Sequence, residues 1–151
     1  MITDWMIALP KGRLGDLVMA RLEGTPLALD ATALRSRVLK IPTATPGLSV
    51  LLLKGSDLPR YVAAGIAALG VVGSDTLDEG EVDVLEVRDL GLGACRLSLC
   101  APKDVNLEDL ARRPHLRLAT KFVRSTAAWL RERGLTAELV PLQSSVELAP
   151  V

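Results

Sequence analysis

The 151 residues carry 18 Lys and Arg against 18 Asp and Glu, so the formal net charge is zero. With no long basic run either, the chain has no electrostatic basis for general nucleic-acid binding. Apolar residues make up 49% and aromatic ones 3%, which excludes a disordered chain and calls for a core of Leu, Val, Ile and Ala.

Trp5 to Leu9 is a short apolar run that ends at Pro10 and reads as a buried strand. Lys11-Gly12-Arg13 reads as a turn, and from Asp16 the residues Leu17, Val18, Ala20 and Arg21 fit a helix that stops near Gly24. Residues 25–47 are punctuated by Pro26, Pro42, Pro46 and Gly47, with an edge strand expected over Ser36 to Ile41. Ser49 to Leu53 is a buried strand, and Ser56 is placed to cap a helix through Ala64 that Gly65 closes. Ala67 to Val72 is a further buried strand, followed by Gly73-Ser74-Asp75 and a short helix. Val82 to Val87 alternates as a strand does, Gly91 and Gly93 interrupt, and Arg96 to Ala101 reads as the next strand. Asn106 caps a short helix to about Arg112, Leu116 to Thr120 is a strand, and Ser125 to Arg133 is a helix ended by Gly134. Glu138 to Leu142 is a strand, after which Ser144 or Ser145 caps a last helix. Strands alternating with helices predict an α/β fold with largely parallel sheets. The break at Gly91 to Gly93 divides it into an expected first lobe, 1–90, and a second, 91–151.

Three strand-to-helix junctions have the composition of a ligand site: Lys11-Gly12-Arg13, Gly73-Ser74-Asp75 and Gln143-Ser144-Ser145. Ligands of open α/β sheets bind beyond the carboxyl ends of the strands, where helix N-termini present free N–H groups to anions. Lys11 and Arg13 have the chemistry to clamp a di- or triphosphate, or are two solvated surface charges. Arg35 and Arg37, two apart, form a shared anion site or a charged edge that resists aggregation. Gly73-Ser74-Asp75 holds a ribose or base, or is an ordinary helix cap.

His115 is the one histidine and has no partners at metal-ligand spacing, so no metal site is read. Cys95 and Cys100 lack a zinc or redox spacing and read as reduced thiols. There is no Walker A pattern and no nucleophile elbow. The apolar stretches are too short to span a bilayer, and Met1-Ile2-Thr3-Asp4 has no signal-peptide character, which predicts a cytoplasmic protein without membrane contact.

Six segments, taken together, resemble the ATP phosphoribosyltransferase family. They are Ala8-Leu9-Pro10-Lys11-Gly12-Arg13-Leu14; Leu51-Leu52-Leu53 through Asp57-Leu58-Pro59-x-Tyr61-Val62 to Gly65; and Leu69-Gly70-Val71-Val72-Gly73-x-Asp75. Leu90-Gly91-x-Gly93-x-Cys95-Arg96-Leu97 with Ala101-Pro102, Leu118-Ala119-Thr120-Lys121, and Ser145-Val146-Glu147-Leu148-Ala149-Pro150 complete the set in family order. Any one is weak, but all six in register are specific.

The resemblance is to the short-form catalytic subunit and implies two α/β lobes like those of type II periplasmic binding proteins, with the active site in the cleft between them. It implies attack by N1 of the ATP adenine on C1 of phosphoribosyl pyrophosphate, releasing pyrophosphate with Mg²⁺, at the first step of histidine biosynthesis. Lys11, Gly12 and Arg13 match the family's first basic loop, and Arg37 an arginine that faces the pyrophosphate. Gly73 and Asp75 match its nucleotide-side turn, and Glu147 the acid of its last motif. The implied partner is a regulatory subunit resembling histidyl-tRNA synthetase, in a homo- or hetero-oligomer.

The sequence departs from the family pattern at Phe122-Val123, where Tyr-Pro is usual. The pattern also runs on beyond Ala149-Pro150 to a returning strand and a Thr-Gly-rich loop for the ribose 5′-phosphate, so the expected fold has its C-terminal part missing. The competing readings are a non-catalytic small-ligand-binding module and an inactive fragment of the same fold.

Overall fold

The computed structural model describes residues 4–29, 38–113 and 115–143, in two compact units, Met1–Cys95 and Arg96–Val151. Both are α/β.

The first unit is built on a four-stranded sheet of order β2-β3-β1-β4, with β1 at Trp5–Pro10, β2 at Lys40–Pro42, β3 at Leu48–Leu53 and β4 at Leu69–Gly70. Strands β3, β1 and β4 run parallel, and β2 adds antiparallel at the edge, where Pro42 costs no ladder bond the interior needs. The β1–β3 register is continuous from Trp5↔Leu48 to Pro10↔Leu53. Of the edge strand expected over Ser36 to Ile41, Lys40 and Ile41 lie in β2 and Val38 and Leu39 precede it, while residues 36 and 37 lie outside the described residues. The strand expected over Ala67 to Val72 narrows to two ladder residues, flanked by bonds from Ala68 N–H to Met6 O (2.9 Å) and Val71 N–H to Ala8 O (3.0 Å).

Alternation along β1 decides which helix covers which face. Ile7 and Leu9 join Val50 and Leu52 under helix α1, Arg13–Leu22, which contributes Leu14, Val18 and Leu22 at four-residue spacing. Met6 and Ala8 face the other way, against Leu58 and Val62 of helix α2, Leu58–Ala63. Leu9, Val50 and Leu58 are fully buried, so each face is sealed by one helix. Gly70 allows α2 to lie close to the sheet, because a Cβ there would stand 2.8 Å from Leu58 Cδ2 and 3.0 Å from Val62 Cγ2.

Ser56 does not cap α2. It sits within a 3₁₀ turn, Gly55–Asp57, and its hydroxyl bonds Asp57 Oδ1 at 3.2 Å. The helix begins two residues later, with Pro59 in its first turn, where a missing N–H leaves less for a cap to satisfy. Gly65, at φ +69°, takes the left-handed conformation expected of it.

After helix α3, Ser74–Gly80, residues 81–102 hold no helix and no strand. The strands expected at Val82 to Val87 and Arg96 to Ala101 are therefore not formed. Alternation and β-branching describe a segment that fits a pleated surface, but the ladder itself requires a neighbouring strand, and none pairs with them among the described residues.

In the second unit, helix α4, Leu107–Ala111, starts at the expected cap. Asn106 Oδ1 accepts from Glu108 N–H (2.6 Å) and Asp109 N–H (3.2 Å). Strands β5, Arg117–Thr120, and β6, Glu138–Pro141, pair in parallel through helix α5, Val123–Glu132. This helix begins two residues before the expected Ser125. The Phe122 N–H is taken by Thr120 Oγ1 at 3.0 Å, which turns the chain into the helix early. Gly134, at φ +63°, ends it as expected.

Candidate active site

Because α1 leaves β1 toward one face of the sheet and α2 leaves β3 toward the other, the loops at the two carboxyl ends diverge. Two neighbouring parallel strands whose connections part in this way open a crevice, the place where such sheets bind ligands. It lies within the first unit, between the Pro10–Arg13 and Leu53–Asp57 segments, which the bond from Lys11 N–H to Leu53 O (2.9 Å) holds side by side.

Lys11, Gly12 and Arg13 stand on its β1 side, all exposed. Gly12 is the N-cap of α1, at φ +79° and ψ −159°. Only glycine adopts that region without strain. Its conformation turns the chain sharply between the two cationic residues, and it brings no side chain to occupy the first N–H groups of α1. Those groups and the positive end of the helix dipole are open to an anion. Gly15, buried in the next turn, is held against the Pro10 carbonyl so closely that a Cβ would overlap it, which fixes α1 to the end of β1.

On the β3 side stands Lys54, a residue the sequence reading did not single out. It is exposed, immediately follows the last ladder residue of β3, and so mirrors Lys11 at the end of β1. The available signal was that same position: a cation directly after a buried apolar run. Among the described residues the side chains of Lys11, Arg13 and Lys54 have no hydrogen bond or ion pair. Three unneutralised cations thus border one crevice, two on one strand end and one on the next.

Gly73 and Asp75 lie on the other side of β1, after β4, at the same carboxyl edge. Asp75 is half-buried, and its carboxylate turns back over Gly73. It accepts from Thr76 N–H at 2.8 Å and from the Thr76 hydroxyl at 3.3 Å. A Cβ at Gly73 would overlap that carboxylate, so the glycine makes room for it. Asp75 therefore orders the first turn of α3 from within, while the turn reaches the same edge as the basic loop.

Arg35, Arg37, Ser144, Ser145 and Glu147 lie outside the described residues. Gln143 is exposed beyond the end of β6, in the second unit. His115 is exposed, and no group of three His, Cys, Asp or Glu among the described residues is placed to hold a metal ion. No helix among them is long and apolar enough to cross a membrane.

The family model of HisG, ATP phosphoribosyltransferase, matches residues 54–151. Along 99% of its length the chain is 40% identical to an ATP phosphoribosyltransferase of Moorella thermoacetica, and covers 68% of that relative. Along 96% it is 42% identical to the ATP phosphoribosyltransferase of Sorangium cellulosum, covering 66% of it. Among solved structures it is similar to the ATP phosphoribosyl transferase (HisG:HisZ) complex from Thermotoga maritima, with a TM-score of 0.66 at 25% identity, over 97% of this chain and 68% of that one. The chain thus spans about two thirds of the length of the curated relatives it matches.

Proposed function

The chain belongs to the ATP phosphoribosyltransferase family, which performs the first step of histidine biosynthesis, and from that premise we propose that the crevice between β1 and β3 holds the pyrophosphate of phosphoribosyl pyrophosphate. The observation that carries the reading is the set of cations at Lys11, Arg13 and Lys54, without a partner among the described residues, around a Gly12 turn that leaves the start of α1 without a side-chain cap.

In the proposed reaction the N1 lone pair of the ATP adenine forms a bond to C1 of the ribose. The bond from C1 to the pyrophosphate oxygen breaks, and its electron pair leaves with pyrophosphate. No general base at the nucleophile is needed, since N1 attacks through a lone pair. The chain's task is then to position two large anions and to stabilise charge as it builds on the leaving oxygen. Fixed cations do the second task selectively, because their attraction grows as the bond breaks. Arg13, next to the helix start, is assigned to the leaving group with Arg37. Lys11 and Lys54 hold the phosphates as point charges, and Gly12 admits them to the backbone N–H groups. The turn at Gly73 and Asp75 is assigned to the nucleotide side, and Glu147 to the substrates. Mg²⁺ would be carried on the substrates' own phosphates, the usual way this ion is bound, rather than in a cage of side chains, and no group of three His, Cys, Asp or Glu among the described residues forms such a cage.

The proposed setting is cytoplasmic, in an oligomer with a regulatory subunit like the HisZ component of the Thermotoga maritima complex. The test is pyrophosphate release from the purified chain with ATP, phosphoribosyl pyrophosphate and Mg²⁺, with and without such a subunit, for the wild type and for Lys54→Met. Release that needs both substrates and falls in the variant supports the assignment. Binding of both substrates without release would make this chain a binding module. Unchanged turnover in Lys54→Met removes that residue from the site.

A further inference from the structure

The segment Leu90-Gly91-Leu92-Gly93 has no polar side chain to offer a phosphate, yet it is built to a definite shape. Asp89 begins it. Its carboxylate accepts from Gly91 N–H at 2.8 Å and closes a turn, with Gly91 at φ +63° and Gly93 at φ +71°. Between these two left-handed glycines Leu92 points inward. It is half-buried while Gly91 and Gly93 are exposed, and it packs on the core of Leu9, Val18 and Val50. Leu14 packs on the same core, and a Cβ at Gly93 would stand 3.0 Å from Leu14 Cδ1. The glycine backbone therefore lies directly against Leu14.

Leu14 follows Arg13 and belongs to the first turn of α1, which Gly12 starts without a side-chain cap. Such a turn is the part of a helix most open to fraying. Here it must keep a cation in place on either side of a glycine. Gly15 fixes its backbone to the end of β1, and Leu92 with Gly93 bears on its side-chain face at Leu14. We propose that Leu92 and Gly93 are positioning residues for pyrophosphate, acting through Leu14 to hold Lys11 and Arg13 at the crevice. Close packing transmits such a restraint, and small misplacements of a binding group are costly. This role rests on the reading of the crevice as the pyrophosphate site.

The test is calorimetric titration of inorganic pyrophosphate into the full chain and its variants, each first shown to be folded by urea denaturation. Leu92→Ala is expected to weaken binding about tenfold, the scale of coupling between residues that share a packed core. Leu92→Met, which keeps the volume, should bind as the wild type does. Leu22→Ala truncates the same core at the far end of α1, so it should lower the urea midpoint and leave the affinity unchanged. Amide exchange read by NMR supplies a measure that needs no ligand. The Asp16 N–H, bonded to Gly12 O at 3.0 Å, should exchange faster in Leu92→Ala and not in Leu22→Ala. If Leu92→Ala does not fold, Gly93→Ala carries the same measurements with the same expected results. Unchanged affinity, unchanged Asp16 exchange, or an equal loss of affinity in Leu22→Ala overturns the proposal, and leaves the crevice reading standing provided that Arg13→Ala weakens pyrophosphate. A wild-type chain that binds no pyrophosphate, or binds it as well in Arg13→Ala, overturns the crevice reading and this role with it.

Discussion

Replacing Gly12 by alanine tests the central turn of the site. The glycine stands at φ +79° and ψ −159°, and no heavy atom lies within 4 Å of the place a Cβ would take. The cost therefore comes from the backbone alone, about 1–3 kcal/mol for an L-residue held in a region that belongs to glycine. Alanine also restricts the unfolded chain, which offsets about 0.4–1 kcal/mol. A net loss on the order of 1–2 kcal/mol is expected, which at a urea m-value of about 1.5 kcal/mol/M lowers the midpoint by about 1 M. The strain has one escape. If the turn relaxes to an ordinary φ, stability is recovered, but Lys11 and Arg13 are re-aimed and the start of α1 no longer faces the crevice. Urea denaturation should therefore be paired with calorimetric titration of phosphoribosyl pyrophosphate. Gly55→Ala is the control, because Gly55 has neither a positive φ nor a neighbour within 4 Å. Its midpoint should stay or rise. A Gly12→Ala chain that keeps both its urea midpoint and its affinity would refute the reasoning, since one of the two must suffer.

Arg13→Ala is expected to lower kcat on the order of 10²–10³-fold while KM moves less than tenfold, because an interaction with the leaving group strengthens only as the bond breaks; steady-state kinetics with equal kcat and weaker binding would remove Arg13 from that role. Gly70→Ala forces a Cβ to within 2.8 Å of Leu58 Cδ2, in a core where Leu58 is fully buried, and should cost about 1–3 kcal/mol by denaturant titration, whereas an undiminished midpoint would mean that α2 shifts freely on the sheet. Thr120→Val removes the acceptor of the Phe122 N–H and the contact with the Thr126 hydroxyl at 3.2 Å, and should destabilise the second unit by about 1–2 kcal/mol, with faster exchange of the first-turn amides of α5 as the local readout.

Much of the chain's local structure is legible in its residues. The apolar runs from Trp5 to Leu9 and from Ser49 to Leu53 form the paired strands that their length and bounding residues predict. The helix expected from Asp16 on Leu17, Val18, Ala20 and Arg21 forms but starts at Arg13, and it is Leu14, Val18 and Leu22 that pack on the sheet while Leu17 stays exposed, because the orientation of a helix is set by the face it must cover. Asn106 and Gly134 act as cap and stop because those roles depend on a few neighbouring backbone groups. Ser56 fails as a cap because a single residue's preference yields to the 3₁₀ turn and to Pro59 beside it. Val82 to Val87 fails as a strand for a different reason. Its alternation is present, but a ladder belongs to two segments and cannot be read from one.

The site divides along the same line. The order and spacing of six short segments determined the family, and Gly12 between Lys11 and Arg13 already announced a turn between two cations. Only the tertiary structure decided that α1 and α2 depart to opposite faces, which opens the crevice. Only the β1–β3 register placed Lys54, 43 positions along the chain from Lys11, beside it at the carboxyl edge. Periodicity and capping act over a turn or two of chain and survive in the sequence. A ligand site is made where distant strand ends meet, and that meeting is set by which faces are buried together.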